Sequence, residues 1–424
     1  MSLLTIPKKL NFEGWRIVRL GELIFPDREK IKATEYSGEH KFVKKISFSS
    51  GKIVFREKNQ TKTDAYKSTK GHLLISNIAF NQGGVAITTE TTVATTHYDF
   101  YKTTANVDIL YLWHYLRSDF FRALFSEEIK YTGYRKEAKY NFIKDLKILL
   151  PPLNEQKSIV YILSMLQEDL EVQEQVVNAS IGLKISLMRY LFTEGIKHRK
   201  LKDTAIGKIP IDWRVENFRN ILSRTLRHGV YKRKEDISSS GVRIIKMGDL
   251  NSNLKIGDQD MERVRVNENE LKRFKVDEGN LIFARTSIIA GGLGNCGIII
   301  KHNDTIIFDG NLLCADLNLN VAYPEFYLYY FKSEQGQKEI SGITAGTQSR
   351  NISSSNLMEI MIPLPGIKEQ IEIANIISKV FEKIRLESKR LTLMKSIFYA
   401  LSNKLIEGKI TTHALEVPEN VNRK

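Results

Sequence analysis

Two short motifs in this sequence contain residue types that could do chemistry. Residues 292–297 read Gly-Leu-Gly-Asn-Cys-Gly, the G-x-G-x-x-G pattern that cradles a dinucleotide phosphate when it opens a helix. The residues that follow, Ile298-Ile299-Ile300, predict a strand instead, so the helix N-terminus that would hold the phosphate is missing. We therefore interpret this motif as a glycine-rich turn.

The second motif is that of a metal-dependent nuclease. Pro26-Asp27 followed by Glu39-His40-Lys41 matches P-D…E-x-K, in which carboxylates hold Mg²⁺ and the lysine positions a water. The string is short, arises by chance in a chain rich in Lys and Glu, and has no counterpart in the second repeat described below. A self-sufficient nuclease or methyltransferase is kept as an alternative, and metal-dependent cleavage by the purified chain alone would favour it.

The remaining composition gives no basis for another catalytic site. None of the eight histidines belongs to an H-E-x-x-H pair, and the two cysteines, Cys296 and Cys314, are too few for a disulfide framework or a cysteine zinc site. The amino-methyltransferase pattern N-P-P-[YF] and the Walker A pattern are also absent. We expect no catalytic residue, no metal and no cofactor on this chain.

The charge of the chain favours a polyanion as partner. The formal net charge is +15 and the isoelectric point is near 9.4. Residues 1–150 carry 25 basic and 16 acidic side chains, so most of the excess lies there. This distribution indicates nucleic acid before a membrane. No apolar run reaches the ~18 residues of a membrane span, and residues 1–10 lack the apolar core of a signal peptide, so we expect a cytoplasmic protein.

The sequence repeats itself with a period near 210 residues. Residues 71–75 (Gly-His-Leu-Leu-Ile) resemble residues 279–283 (Gly-Asn-Leu-Ile-Phe), and residues 151–156 (Pro-Pro-Leu-Asn-Glu-Gln) match residues 365–370 (Pro-Gly-Ile-Lys-Glu-Gln). So long a period indicates a duplicated domain pair and not a solenoid. Each half begins with a mixed region of about 150 residues that contains short β-branched runs. Each region also has one predicted aromatic helix, around Tyr111–Phe125 or Glu325–Ile340, whose aromatic residues we assign to the core. A proline boundary follows, at Pro151-Pro152 in the first half and at Pro363 and Pro365 in the second. After each boundary comes a long segment nearly free of Gly and Pro.

The two long segments are predicted to be coiled-coil helices. Spacings of alternately four and three residues select ten positions from Ile373 to Leu405, of which nine are apolar. The equivalent ten positions from Ile159 to Leu191 contain seven apolar residues. Helices of about 40 residues would be roughly 60 Å long. The alternative is a pair of amphipathic helices inside a globular core.

Each predicted coiled-coil stripe has a polar residue at the same place. Gln173 interrupts the first stripe and Glu387 the second. If the helices pair antiparallel about a pseudo-twofold axis, the two residues would lie near one central layer. A polar layer of this kind lowers stability but specifies the register of a coiled coil. We therefore predict a register role for Gln173 and Glu387.

The arrangement resembles the specificity subunit of Type I restriction–modification enzymes, over nearly the whole chain. The match rests on Leu-Pro-Pro-Leu-Asn-Glu-Gln at 150–156 and Pro-Leu-Pro-Gly-Ile-Lys-Glu-Gln at 363–370. Each opens a long helix that ends in a Glu-Gly pair, at 194–195 and 407–408. Residues 206–213 (Ile-Gly-Lys-Ile-Pro-Ile-Asp-Trp) look like the usual start of a target-recognition domain in that family. The corresponding start at 6–15 is looser, and Gly366 stands where the family has a second proline.

The resemblance implies a function and a set of partners. Each mixed region would be a target-recognition domain that reads one half of a split sequence on double-stranded DNA. The long helices would set the spacing of the half-sites and dock two methyltransferase subunits, which methylate adenine with S-adenosylmethionine. Translocase–nuclease subunits would join in the full complex, with ATP and Mg²⁺ also expected on partner subunits and no membrane involved. The chain itself would be a non-catalytic subunit.

The predicted fold class is α+β with a pseudo-twofold internal repeat. Two similar mixed α/β target-recognition domains are separated by two long antiparallel coiled-coil helices. We predict the first target-recognition domain at 1–150 and the first long spacer helix at 151–200. The second target-recognition domain follows at 201–362, and the second long helix with a C-terminal tail at 363–424.

The candidates for DNA contact are basic and amide residues in loops, because such side chains bind phosphates and base edges. A loop just before each proline boundary mixes these residue types. Asn77 and Arg285 occupy equivalent positions just after the repeated segments at 71–75 and 279–283, which are predicted strands. They are weaker candidates, because a polar residue at the end of a strand often only caps a turn. A basic strip in the second half, residues 224–234, is a candidate phosphate site. The full set is Tyr134, Arg135, Lys136, Lys139 and Asn141; Gln348, Ser349, Arg350 and Asn351; Asn77 and Arg285; and Arg227, Lys232, Arg233 and Lys234.

Each candidate segment has an alternative interpretation as a solvated surface run. A third reading of the whole chain is a scaffold, in which a coiled coil bears two protein-binding domains. DNA binding that is absent, or that does not depend on salt, would favour that reading. Because the two mixed regions differ in sequence, a DNA-reading chain should recognise two different half-sites.

Overall fold

The computed structural model describes residues 14–132, 137–198, 200–286, 293–344 and 351–412; side chains are described outside 128–132. The chain divides into two compact units. The first comprises Met1–Glu174 with Lys389–Lys424, and the second comprises Gln175–Ser388. The predicted α+β class and its internal duplication are confirmed by the plan that the two units share.

The strands of the first unit form three sheets. They are β1 (Arg16–Arg19), β2 (Ile24–Pro26), β3 (Glu29–Ile31), β4 (Lys41–Ile46), β5 (Ile53–Phe55), β6 (Ala65–Ser68), β7 (Leu73–Ser76), β8 (Val85–Ile87), β9 (Thr92–Thr95), β10 (Tyr98–Thr103) and β11 (Lys147–Leu150). The strand orders are β1-β11, β2-β10-β7-β8 and β3-β6-β9-β4-β5.

Three short helices complete the globular part of the first unit: α1 (Ile109–Arg117), α2 (Asp119–Thr132) and α3 (Tyr140–Ile143). Asp108 caps α1, because its carboxylate accepts hydrogen bonds from the backbone N–H groups of Leu110 and Tyr111. Tyr111 and Tyr115 of α1 are completely buried in the main core of the unit. The predicted core position of these aromatic residues is therefore confirmed, but the single helix predicted around Tyr111–Phe125 is two helices, α1 and α2, divided at Ser118.

The first long helix, α4 (Leu153–Glu194), has 42 residues. The second unit follows with strands β12 (Leu201–Thr204), β13 (Gly207–Pro210), β14 (Arg214–Asn217), β15 (Arg227–His228), β16 (Ile237–Ile245), β17 (Lys255–Ile256), β18 (Arg263–Val264), β19 (Leu281–Ala284), β20 (Cys296–Ile299), β21 (Ile306–Phe308), β22 (Leu312–Ala315) and β23 (Met361–Leu364). Their sheets have the orders β12-β13, β14-β23, β15-β22-β19-β20-β17 and β18-β16-β21.

The helices of the second unit are α5 (Met247–Ser252), α6 (Glu268–Phe274), α7 (Pro324–Lys332), α8 (Glu334–Thr344), α9 (Ser354–Met358) and the long α10 (Ile367–Ile406) of 40 residues. Pro324 stands at the start of α7, where its fixed φ suits a helix and no N–H is needed. Phe326, Tyr327 and Phe331 are buried, so the aromatic helix of this half also lies in the core, as predicted.

The strand registers show the same repeat as the sequence. In the first unit Leu73 of β7 lies opposite Tyr101 of β10, and in the second Leu281 of β19 lies opposite Ala315 of β22. The offsets are 208 residues for one strand and 214 for the other, which are the offsets of the sequence repeat. Strands β2, β10 and β7 of the first unit therefore correspond to β15, β22 and β19 of the second.

The predicted coiled-coil stripes coincide with the less exposed faces of α4 and α10. All twenty predicted positions are buried or partly buried, Gln173 and Glu387 among them. Residues 153–174 of α4 belong to the first unit and residues 175–194 to the second. The register role of Gln173 and Glu387, which belong to different units, stays a prediction.

Within each unit the segments of α4 and α10 run antiparallel. In the first unit Glu174 pairs with Lys395 at 2.6 Å, while Glu155, near the start of α4, accepts a hydrogen bond from the backbone N–H of Thr412. In the second unit Lys184 Nζ lies 5.1 Å from the centre of the Phe381 ring, while the backbone N–H of Ile196, just after α4, donates to Glu369 near the start of α10 at 2.9 Å. Within each unit, the later residue of the α4 segment contacts the earlier residue of the segment that contains or adjoins α10, as antiparallel pairing requires.

The glutamine of the Glu-Gln pair near the start of each long helix makes the same hydrogen bonds in both halves of the chain. Gln156 and Gln370 are buried, and the side-chain Nε2 of each donates to the carbonyl of the proline boundary, Pro151 or Pro365, at 2.9 Å. The Oε1 of Gln156 accepts from the N-cap residue of α1, and that of Gln370 accepts from Tyr323, the N-cap residue of α7, both at 2.8 Å. Each Gln thus joins an aromatic helix to a long helix.

Candidate nucleic-acid interface

One residue at the end of a central strand joins two loops in each unit. Asn77 follows β7, and its backbone N–H donates to the carbonyl of His97 at 2.8 Å while its carbonyl accepts from the N–H of Ala138 at 2.7 Å. Arg285 follows β19 and makes the same two bonds, to Asn311 at 2.9 Å and from Ile352 at 2.8 Å. We call these groups the first strand-end cluster (Asn77, Thr96, His97, Ala138, Lys139) and the second strand-end cluster (Arg285, Thr286, Asn311, Asn351, Ile352).

The strand-end clusters bring together two sets of predicted DNA-binding residues. Asn77 and Arg285 were predicted from one part of the repeat, and the loops before the proline boundaries from another. The backbone bonds place Asn77 beside Ala138-Lys139 and Arg285 beside Asn351-Ile352. The remaining loop residues, Tyr134, Arg135, Lys136, Gln348, Ser349 and Arg350, lie outside the described residues.

Two side chains of the first strand-end cluster, Asn77 and Lys139, have partners within the protein. Asn77 is 4% exposed; its Nδ2 donates to the Thr96 carbonyl at 3.3 Å, and its Oδ1 is buried without a hydrogen-bond partner. Lys139 is exposed and pairs with Glu137 at 2.6 Å, which lowers the pKa of the Glu137 carboxyl. His97 and Thr96 are exposed, and Asn141 is exposed on α3. The solvent-facing surface here consists of His97, Thr96, Lys139 and Asn141.

The second strand-end cluster presents a different chemistry. The Thr286 hydroxyl donates to Asn311 Oδ1 at 3.2 Å, and Asn311 Nδ2 donates to Asp309 Oδ1 at 2.8 Å. A bridge between Thr286 and Asn351 connects the two loop ends. Arg285 is partly buried, and its Nη1 donates to the Tyr231 hydroxyl at 3.4 Å. The cluster therefore offers an arginine, two amides and a hydroxyl at one strand end.

Tyr231 is an exposed aromatic residue that sequence reasoning missed. It is 67% exposed, and its ring lies over Gly310, where a Cβ would come within 2.6 Å of ring carbons. Only glycine leaves room for the ring in this position. His97, Asn311 and Thr286 were missed as well. The 214-residue offset that relates His97 to Asn311 was the signal in the sequence that could have identified those two.

The predicted basic strip of the second unit divides into internal and exposed cations. Arg227 is 15% exposed, pairs with Asp316 at 2.9 Å and donates to the Lys275 carbonyl at 2.8 Å. Lys232 is 10% exposed and pairs with Glu270 at 2.8 Å. Arg233 and Lys234 have exposed side chains. Arg227 and Lys232 thus hold parts of the second unit together, whereas Arg233 and Lys234 face solvent.

The residues of the nuclease-like string have separate partners. Asp27 Oδ2 lies 2.9 Å from His72 Nε2, Glu39 accepts from the Ser37 hydroxyl, and Lys41 pairs with Glu90 at 2.8 Å. Within the described ranges no group of three or more His, Cys, Asp or Glu side chains could hold a metal ion.

The Asp27–His72 contact has a counterpart in the second unit. Asp27 pairs along the backbone with Phe100, and Arg227 with Cys314, so the two residues occupy corresponding positions. The partner of Asp27 is His72, and Arg227 Nη2 donates to Asn280 Oδ1 at 3.3 Å, where Asn280 corresponds to His72 by the repeat. Both units therefore use this pair of positions for a structural contact.

Cys296–Ile299 is a strand, which confirms that a strand and not a helix follows the G-x-G-x-x-G pattern. Among the helices that are described, none combines the length and apolarity that crossing a membrane requires.

Two mixed α/β units that share the order of four central strands and the same strand-end bonds define a protein built by internal duplication. The chain belongs to the type I restriction modification DNA specificity family, whose sequence profile matches residues 12–178 and 210–395. The specificity subunit of the type I restriction enzyme MjaVIII of Methanocaldococcus jannaschii is 25% identical over 407 residues, which cover 94% of this chain and 93% of that subunit.

Solved structures have the same fold. A chain from a structural study of complex assembly and conformational transition of the type I R-M system aligns with a TM-score of 0.61 and 16% identity, over 95% of this chain and all of the other. The S subunit of a type I restriction–modification system from M. genitalium aligns with a TM-score of 0.57 and 16% identity, over 94% and 98% of the two chains. The likeness extends over both units and both long helices.

Proposed function

We propose that this chain is the sequence-specific DNA-recognition subunit of a Type I restriction–modification complex, and that each unit reads one half of a bipartite target. The observation that carries the proposal is the repeated strand-end cluster. The same backbone bonds hold the same two loops in both units, but the side chains differ. Two domains that recognise different half-sites need the same backbone framework for their loops and different polar side chains on it.

The long helices are proposed to set the gap between the half-sites and to dock two methyltransferase subunits. Their length supports the first role, since 42 and 40 helical residues extend for roughly 60 Å. Exposed apolar side chains on the same helices support the second, because such residues outside a core favour contact with another protein. They include Val172, Leu183, Leu393 and Ile397.

The chemistry is proposed to belong to the partner subunits. S-adenosylmethionine would bind the methyltransferase subunits, and ATP and Mg²⁺ the translocase–nuclease subunits. The chain would then act without catalysis of its own, on double-stranded DNA in the cytoplasm. The structural contact between Asp27 and His72 argues against the nuclease alternative, because it engages the first carboxylate of the string.

A map of methylated adenines tests the proposal. The chain would be expressed with the methyltransferase subunit of its own source, and modified bases located by long-read sequencing. We expect a two-part motif with a fixed gap that disappears when the chain is omitted. A stable complex that binds S-adenosylmethionine but leaves DNA unmodified would refute the proposal and favour the scaffold alternative.

A further inference from the structure

We infer that Arg285 reads a guanine in the half-site of the second unit, and that Tyr231 is its positioning residue. The inference rests on the proposed function, since it names the base that one of the two readers recognises. It assigns a base-reading role to Arg285 but not to Asn77, although the two residues occupy equivalent positions and make the same backbone hydrogen bonds.

The bonding of Arg285 differs from that of Arg227 and Arg243, two largely buried arginines of the same unit. Arg227 Nη1 and Nη2 reach two backbone carbonyls, Asp316 and Asn280, and Arg243 pairs with Asp258 and donates to the Gly257 carbonyl. Arg285 has one side-chain bond to a described residue, the 3.4 Å contact with Tyr231, and its Nε is buried without a partner. A guanidinium carries four of its five N–H donors on the two terminal nitrogens, so Nη1 and Nη2 of Arg285 keep donors for an acceptor outside the described residues.

The surroundings hold Arg285 in place without neutralising it. Its backbone N–H and carbonyl are both bonded to neighbouring loops, so the start of the side chain is fixed. The nearby Asp309 carboxylate accepts from the N–H and the Nδ2 of Asn311. Partial burial, followed by the charge of Arg285, lowers the pKa of His228, which disfavours a positive charge on this neighbour. The arginine is thus the charged donor of the second strand-end cluster.

Tyr231 determines where the guanidinium points. Its ring rests on Gly310, and the backbone of Gly310 bonds to that of Val230 at 2.9 Å, which anchors the residue before the tyrosine. The phenolic oxygen then accepts from Arg285 Nη1. A guanidinium held at one nitrogen keeps the planar edge that matches two acceptors at once.

Guanine is the base that fits this donor set. Its major-groove edge presents two acceptors, O6 and N7, and arginine binds them with two parallel hydrogen bonds. Adenine presents one acceptor and one donor there, which a guanidinium cannot match. In the first unit, Asn77 is short, 4% exposed and bonded to Thr96, so the equivalent position does not extend to a base edge.

The test uses the complex of the chain with its methyltransferase subunit and duplexes of the mapped motif. Each guanine is replaced in turn by 7-deazaguanine, which lacks only the N7 acceptor. For the unaltered chain we expect binding to weaken about tenfold at one guanine in one half-site. The Arg285→Met variant keeps a long side chain but has no N–H donor, so it should be insensitive to the same replacement.

Control variants separate the roles of the two residues. Tyr231→Phe should reduce the sensitivity to 7-deazaguanine without removing it, whereas Lys208→Gln, which removes an exposed charge from β13, should leave it unchanged. The inference is overturned if no guanine is sensitive, or if Arg285→Met is as sensitive as the unaltered chain, which would show that another residue binds the guanine. These outcomes assume that the unaltered complex shows a two-part motif; without one, the proposed function itself fails.

Discussion

At the scale of single residues, Asp316 shows how partners decide the role of a charged side chain. Its carboxylate accepts hydrogen bonds from Arg224, Arg227 and Asn280, and it is 7% exposed. Burial alone would raise the pKa of Asp316, but the bonds from Arg224 and Arg227 outweigh burial and hold the pKa below its usual range. Arg227, predicted from sequence to bind phosphate, thus neutralises a buried carboxylate of its own unit.

The lowered pKa of Asp316 predicts a pH-dependent stability. A carboxyl whose pKa is lower in the folded than in the unfolded state stabilises the fold above about pH 3.9, and this contribution is lost as the pH falls through the folded value. We expect Asp316→Asn to lower the free energy of unfolding by about 2–4 kcal/mol at pH 6, because Arg227 loses its partner. The difference from the unaltered chain should shrink below about pH 4.

Urea unfolding between pH 3 and pH 7 measures this prediction. The exposed Asp260→Asn is the matched control and should change the unfolding midpoint little at any pH. A difference between Asp316→Asn and the unaltered chain that stays constant down to pH 3 would contradict the assignment.

Gln370 predicts a second effect at the residue scale. Its side chain is completely buried and bonds the N–H of Tyr323 and the carbonyls of Val321 and Pro365. Gln370→Ala would leave these backbone groups buried without partners, at a cost of about 2–4 kcal/mol. A thermal unfolding experiment should show this loss, whereas Gln175→Ala, at an exposed position of α4, should have an effect within about 0.5 kcal/mol. Equal shifts for both variants would refute the joining role of Gln370.

At the scale of elements, the long helices end where the sequence predicts, for a reason visible in the backbone. Gly195 and Gly408 follow α4 and α10 with φ of 62° and 66°, a left-handed conformation that glycine adopts freely. The Glu-Gly pairs predicted as helix ends therefore act as C-terminal stops. Gly195 also approaches Glu369 and Trp213, where a Cβ would lie 2.8 and 2.9 Å from their side chains.

Two glycines of the same helical region should respond to alanine in opposite directions. Gly195→Ala should lower the free energy of unfolding by about 1–3 kcal/mol, because alanine disfavours positive φ and its Cβ would crowd Glu369. Gly182 lies inside α4, and beyond the backbone of its own helix no atom comes within 4 Å of the place that an alanine methyl would take. Gly182→Ala should therefore raise the free energy of unfolding by about 0.5–1 kcal/mol. Chemical unfolding of the two variants side by side measures both signs. A stabilised Gly195→Ala chain would contradict the proposed helix stop.

At the scale of the whole molecule, the long helices are proposed to set the gap between the two half-sites. Inserting one heptad into both α4 and α10 adds about 10 Å of helix. Because base pairs are spaced about 3.4 Å apart, the gap between half-sites should lengthen by about three base pairs while both half-site sequences stay the same. Adenine methylation mapping of the variant complex measures the gap. An unchanged gap would show that the helices do not set the spacing.

Much of the architecture follows from the sequence because it depends on local patterns. Heptad spacing predicted α4 and α10, glycine predicted their ends, and repeated letters at offsets of 208 and 214 predicted two similar units. Aromatic residues at helical spacing predicted the buried faces of α1 and α7. Each of these signals comes either from residues close together in the chain or from similar segments far apart in it. Neither kind of signal requires knowledge of tertiary contacts.

The candidate site could be identified only from the tertiary structure, because its residues are distant in the sequence. Their contacts decide which of them lie together and which are paired within the protein. The sequence alone determined that polar and basic residues follow particular strands and precede the proline boundaries. Only the structure joined Arg285 to Tyr231 and Asn311, and only the structure showed Arg227 paired with Asp316. A charge pattern does not reveal whether a cation meets a carboxylate of its own fold or faces solvent, since that depends on which strands become neighbours.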